Sequence, residues 1–142
     1  MKASLLYGKT IDVLVFVGLI FFISLNVYWF FEQDEYVTKT PTQRVSEIKA
    51  GDNLYFSRYV CSNKILTIDA QRAFIRDDGY KASVRGVKYT NTAYCGYIFF
   101  SVKTPEFLPV GKYSYEAKLI YDLNPLKRVI RTLEPIKFEV VE

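Results

Sequence analysis

The sequence contains no histidine. That removes the commonest general base, the commonest metal ligand and every histidine-dependent catalytic triad. Cysteine is scarce. Only Cys61 and Cys95 occur, far apart and with no Cys-x-x-Cys neighbour. Two thiols without an imidazole cannot build a structural zinc site. No glycine-rich phosphate loop is present. Basic residues are scattered singly, with Lys127-Arg128 the sole adjacent pair, so the clustered footprint of a nucleic-acid binder is missing. Adjacent carboxylates do occur at Asp77-Asp78, within "RDDGY". Asp-Gly is a strong turn dipeptide, so this reads as a hairpin tip. A calcium loop needs more oxygen ligands at alternating spacing. The expectation is a protein with no catalytic residues, no cofactor and no metal.

What the chain does have is one long apolar run, "VLVFVGLIFFISLNVYWFF", from Val13 to Phe31. Only Ser24 and Asn26 within it are polar. As a helix rising about 1.5 Å per residue it covers roughly 28 Å, close to the hydrocarbon thickness of a bilayer. It lacks the polar stripe of a core helix. Tyr28 and Trp29 stand near its C-terminal edge, where amphipathic rings favour the headgroup zone. The run passes straight into "EQDE" with no small-residue cleavage pattern, which favours an uncleaved anchor over a signal peptide. Gly18 and Asn26 are the candidate helix–helix contacts within it. Gly18 has no second small residue four positions away, so no GxxxG motif forms.

Lys2 and Lys9 precede the run, whereas Glu32, Asp34 and Glu35 follow it. Positive charge stays cytoplasmic. The expected organisation is a cytoplasmic N-terminus (1–12), a transmembrane helix (13–31), a stalk or edge strand (32–50) and an exported domain (51–142). The expected location is a single-pass inner (cytoplasmic) membrane protein with its C-terminal domain periplasmic or extracellular. Cys61 and Cys95 fit that placement, because paired cysteines persist in oxidising compartments. Closing a loop of about 34 residues should stabilise the domain by about 3–4 kcal/mol.

The exported part is rich in aromatic and β-branched residues, which favours strands. In "KYSYEAKLIYD", Tyr113, Tyr115, Ala117, Leu119 and Tyr121 fall on one face, opposite mostly polar residues. That is a strand wet on one side. Asn124-Pro125 marks a turn after it. "VIRTL" and "IKFEVVE" follow, as a terminal hairpin or a pair of sandwich strands. Upstream lie "DNLYFSRYVC", "KILTIDAQRAFI" (bent or broken near Ala70) and "KASVRGVKYT", with Gly86 a candidate bulge. "AYCGYIFFSVK" is apolar on both faces, as a covered central strand would be. Short strands at regular spacing predict an all-β, immunoglobulin-like β-sandwich following the helix. Cys61 and Cys95 are expected on facing sheets. The single tryptophan, Trp29, precedes this domain, so antibody-type Cys-Trp-Cys packing is absent.

"IKAGDNLYFSRYVC" and "LPVGKYSYEAKLIYDLNPLKR", together with the leading anchor, give the chain a likeness. It resembles the short single-pass membrane proteins encoded by bacteriophages and prophages, which carry an exported β-domain. The resemblance implies a bacterial inner-membrane location with a periplasmic domain. It carries no catalytic residues to transfer. The leading expectation is a membrane-anchored, non-enzymatic protein-interaction module of the cell envelope. Its partners would be the lipid bilayer and another membrane or envelope protein. The candidate contact residues are Tyr55, Tyr59, Tyr80, Tyr89, Tyr94 and Phe107, because a rigid ring loses little entropy on contact. The alternatives are a membrane-active lysis or infection-exclusion effector acting through its span, or a subunit of a larger envelope or virion assembly.

Overall fold

The computed structural model describes residues 2–43 and 46–142. Helix α1 (Lys2–Phe31) comes first. Its apolar segment, Ile11–Phe31, is long and apolar enough to cross a membrane. Leu14, Phe16, Phe21 and Phe22 all stand exposed along it. A helix apolar all round, with no other described residue burying it, is compatible with a lipid-facing span.

The rest of the chain is two packed β-sheets. The first holds β4 (Asn53–Ser62) at its centre, with β7 (Tyr94–Lys103) along one side. The short strands β1 (Val37–Thr38) and β2 (Thr42–Gln43) share the other side. The second sheet is built on β8 (Gly111–Asn124). One side of β8 takes β5 (Thr67–Arg76), which in turn pairs with β6 (Lys81–Thr90). The other side takes β9 (Lys127–Thr132) and β10 (Ile136–Val141), end to end. β3 (Glu47–Lys49) runs parallel to β10. The segment 32–50 thus supplies three short edge pieces, β1 and β2 on one sheet and β3 on the other.

Period-two patterning decides which residues go inside. Tyr113, Tyr115, Ala117, Leu119 and Tyr121 of β8 are all buried, as the alternation predicts. They meet Leu54 and Phe56 of β4, Ile68 and Phe74 of β5, and Phe138 and Val140 of β10. Leu54, Ile68, Phe74 and Val140 are fully enclosed, and each such side chain stabilises by about 1.5–3 kcal/mol through area burial. Local signals set the turns. Asp77-Asp78-Gly79 closes the β5–β6 hairpin, with Gly79 at φ +90°. That left-handed conformation suits glycine. Between β5 and β6 the register shifts across Ala70 and Arg72. The extra residue lies in β6 at Arg85-Gly86, where a Cβ on Gly86 would come 3.3 Å from the Ala70 carbonyl oxygen.

Two expectations are corrected. β7 is not a covered central strand: it pairs with β4 alone, and Tyr97, Ile98 and Phe99 are exposed. Cys61 and Cys95 do not sit on facing sheets. The β6–β7 connection crosses between sheets, so β7 lies beside β4 and the antiparallel register sets Cys95 directly opposite Cys61. The two are joined as a disulfide within one sheet. Of the two arrangements expected for the C-terminal strands, a hairpin or a pair of sandwich strands, β9 and β10 take the second. They run along one side of β8 as a single strand broken at Pro135, where the missing N–H would interrupt the ladder.

Candidate functional site

The helix meets the sandwich through the acidic knot. Helix α1 has no basic residue in its last turn, and Glu32, Asp34 and Glu35 lie where negative charge opposes the helix dipole. The sandwich supplies the missing cations and donors. Asn124 Nδ2 donates to the Trp29 carbonyl at 2.9 Å and to Glu32 Oε2 at 2.7 Å. Lys127 Nζ donates to the Glu32 carbonyl at 2.6 Å. These bonds satisfy carbonyls that a helix end leaves open. Lys64 pairs with Glu32, and Asn63 donates to Glu35. Asp34 Oδ2 accepts from the Tyr121 hydroxyl and from Arg131 Nη2, each at 2.7 Å. Its Oδ1 accepts from the Tyr36 amide at 3.1 Å. Arg131 also donates to the Tyr36 carbonyl. Burial, then the bond to Asp34, pushes the Tyr121 hydroxyl above its usual range. The helix therefore ends in a socket of the β8–β9 hairpin.

The β4–β7 ribbon has two faces. Outward, Tyr59 and Tyr97 stand directly opposite in register, with rings edge-to-face at 5.5 Å. Lys39 Nζ lies 5.0 Å from the Tyr59 ring centre, within cation–π range. Tyr55 and Phe99 flank a shallow depression on the same strands. Tyr55, Tyr97 and Phe99 are exposed, and the Cys61–Cys95 disulfide crosses the ribbon beside them. Exposed apolar residues that gather into a patch mark an interaction surface.

Inward, the alternation along β4 sets Arg58 between Phe56 and Val60, all three buried. Arg58 is 3 % exposed. Its Nη2 donates to the Glu134 carbonyl at 2.7 Å, while its Nε has no partner. Burial pushes the guanidinium below its usual range. Arg72 occupies the same inward phase of β5. Its Nη2 donates to the Arg85 carbonyl at 2.7 Å, and its Nε is likewise orphaned. Both arginines are among the residues lining a cleft of about 180 Å³ between the sheets, walled by Tyr89 of β6, Phe100 of β7 and Tyr115 of β8. β6 and β7 are the free edges of their sheets, so the cleft lies on the open side of the sandwich. A second hollow of about 300 Å³ adjoins it, lined in part by Tyr36, Tyr89, Tyr94 and Ile98. Burial is also the main cause that raises the Tyr36 and Tyr115 hydroxyls; for Tyr36 the neighbouring Tyr89 adds to it.

The residues singled out from sequence fall into separate places. Tyr55 and Tyr59 share the outer ribbon face, and Tyr89 and Tyr94 line the open side. Tyr80 sits at the β5–β6 hairpin beneath Arg76, 5.4 Å from its ring centre. Phe107 projects from the β7–β8 connection. In α1, Asn26 Nδ2 donates to the Phe22 carbonyl of its own helix at 2.7 Å, and a Cβ on Gly18 would meet nothing. Sequence reasoning missed Tyr97, Phe99, Arg58 and Arg72. The arginines carried a legible signal, because each falls in the apolar phase of its strand. Among the described residues no group of three or more His, Cys, Asp or Glu could hold a metal ion.

Fold and site together define a two-sheet all-β sandwich, joined to an N-terminal helix of membrane-spanning length, with an aromatic edge ribbon and a cationic interior cleft. No family model and no characterised protein matches the sequence.

Proposed function

We propose that this chain is a membrane-anchored, non-enzymatic interaction module of the cell envelope, and that the β4–β7 ribbon receives an extended segment of another envelope protein. One observation carries the reading: among the described residues β7 has a strand neighbour on one side only, β4, and it bears exposed Tyr94, Tyr97 and Ile98. An uncovered edge offers a row of backbone donors and acceptors, and strand addition is the recognition mode that uses it. The aromatic outer face then supplies contact area beside the new strand. The helix socket holds this ribbon near the bilayer, and tethering raises its effective concentration for membrane-proximal partners.

The charge flanks support a cytoplasmic N-terminus and an exported sandwich. The disulfide supports an oxidising compartment. The likeness to phage and prophage membrane proteins supports a bacterial inner membrane. An immunoglobulin type for the sandwich is supported by the β6–β7 crossing between sheets, although its disulfide lies within one sheet rather than between two.

The experiment is co-purification in mild detergent from the native host, read by mass spectrometry. A stoichiometric neighbour should be retained when α1 is exchanged for an unrelated span. It should be lost in Tyr97→Arg, while Phe107→Ser keeps it. Retention in Tyr97→Arg, or loss on exchanging the span alone, sinks the ribbon reading. A reporter fused after Glu142 that is active only in the cytosol sinks the exported placement.

A further inference from the structure

We infer that the cleft between the free edges β6 and β7 binds a small organic anion, a flat apolar body carrying one carboxylate or phosphate, held by Arg58 and Arg72 from opposite sheets. Burial penalises a guanidinium. A cation removed from water is costly unless a partner replaces the hydration. Arg58 is 97 % enclosed, given its 3 % exposure, and Arg72 is half-buried. Neither forms an ion pair among the described residues, whose salt bridges join other partners. The acidic side chain that acts on Arg58 is that of Glu134, a residue itself exposed. Each arginine donates to one backbone carbonyl, and the Arg72 guanidinium also acts on the Tyr115 hydroxyl; neither is given a carboxylate.

What lacks a partner on each is Nε, which is buried. Both arginines line the same cleft. A guanidinium presents a planar fork, and the matching acceptors are the paired oxygens of a carboxylate or phosphate. Two such forks, carried from opposite sheets by residues that line one hollow, can share a single acidic group once each turns its free donor toward it. The rest of the wall fixes the body of the ligand. Phe56, Val87, Phe100 and Leu119 make it apolar, while Tyr89 and Tyr115 offer hydroxyls. A cavity on the order of 150 Å³ accommodates a benzene-sized molecule, so about 180 Å³ suits an aryl or short acyl acid. The adjoining hollow toward Tyr94 and Ile98 leaves room for a substituent. This site lies inside the sandwich beside the β7 edge, and it is tested separately from strand addition because its readout is the arginine side chains and not a protein neighbour.

The test uses the full chain in detergent micelles, ¹⁵N-labelled, with arginine Nε–H resonances followed by NMR. Benzoate and phenyl phosphate are the probes, one for each acidic group, with benzyl alcohol as the neutral control. At least one acid should shift the Arg58 and Arg72 resonances saturably, and benzyl alcohol should bind at least about tenfold more weakly. Arg72→Met should weaken the acid by at least about tenfold. Arg58→Met should do the same; where it fails to fold, Arg58→Lys serves instead, keeping the charge and losing the fork. Three results overturn the inference: no saturable shift with either acid, benzyl alcohol binding as well as the acids, or unchanged acid affinity in the arginine variants.

Discussion

Asp34 is the residue on which the junction of helix and sandwich most depends. Its carboxylate accepts three hydrogen bonds, from the Tyr121 hydroxyl, from Arg131 Nη2 and from the Tyr36 amide. The ion pair is partly sheltered, with side-chain exposures of 31 % for Arg131 and 15 % for Asp34. An exposed pair would contribute about 0.2–1 kcal/mol. Here Asp34→Ala also strands the hydroxyl of Tyr121, a residue only 2 % exposed. An orphaned buried donor costs about 1–3 kcal/mol. The expected loss for Asp34→Ala is therefore about 2–3 kcal/mol. Asp34→Asn keeps one acceptor oxygen and should lose about 1 kcal/mol. The assay is urea unfolding of the detergent-solubilised full chain by near-ultraviolet circular dichroism. Double-mutant cycles pair Asp34→Ala with Tyr121→Phe and with Arg131→Met. Each should return a coupling of about 1 kcal/mol, well above the few tenths expected of independent sites. Couplings near zero in both cycles would refute the idea that the acidic knot is seated on the sandwich, and the helix would then be a loosely tethered anchor.

Other consequences follow from the same geometry. Reducing Cys61–Cys95, which closes a separation of 34 residues, should lower stability by about 3–4 kcal/mol; an unchanged urea midpoint with reductant contradicts this. Gly79→Ala has open space for its Cβ, so its cost is the left-handed backbone alone at φ +90°, about 1–2 kcal/mol; a neutral result in urea unfolding would mean that the hairpin rearranges. Asp78, bonded by the Arg76 guanidinium and the Tyr80 amide, should titrate at about 2 by carboxyl-carbon NMR. Its folded value lies below the ordinary 3.8, so the stabilisation is whole above that value and is lost as pH falls through about 2. Tyr36 and Tyr121 behave in the opposite sense. Burial raises both above the ordinary 10.0, so their contribution is whole below pH 10 and fails as alkali ionises them. Tyrosinate absorbance should show a late-titrating class coincident with loss of near-ultraviolet circular dichroism, and a single early transition would contradict this.

Much of the fold was legible because it depends on neighbours close in the chain. The span shows in composition alone, since no phase of α1 offers a polar stripe. β8 shows because Tyr113 to Tyr121 alternate without a break on the inward side. The Asp77-Asp78-Gly79 turn and the irregularity at Gly86 follow from residue types at fixed offsets. The socket was not legible. Glu32 meets Asn124 across 92 positions and Asp34 meets Arg131 across 97, and no periodicity encodes that pairing. The acidic knot looked like a topology signal; its side chains turn out also to be structural ligands of the hairpin. β7 was misread because apolarity on both faces reports what a strand tolerates, not what lies beside it. A strand buried at the centre of a sheet and an edge awaiting cover give the same pattern.

That ambiguity bears on function. Exposed edges are ordinarily blunted by lysine, proline or a bulge, which discourage pairing with another chain. From Tyr94 to Val102, β7 carries no charge and no proline, and its pairing with β4 runs through ten consecutive positions without a shift. Among the described residues no further strand pairs with this edge, and the disulfide fastens its first residues to β4 at Cys61. A strand hydrogen-bonded on one side only frays readily, and the staple offsets that tendency without covering the free side. An edge kept straight, held in place and left unprotected is a costly arrangement for a sandwich that merely has to fold, because it invites self-association. It is the arrangement that the proposed strand addition from another molecule would use.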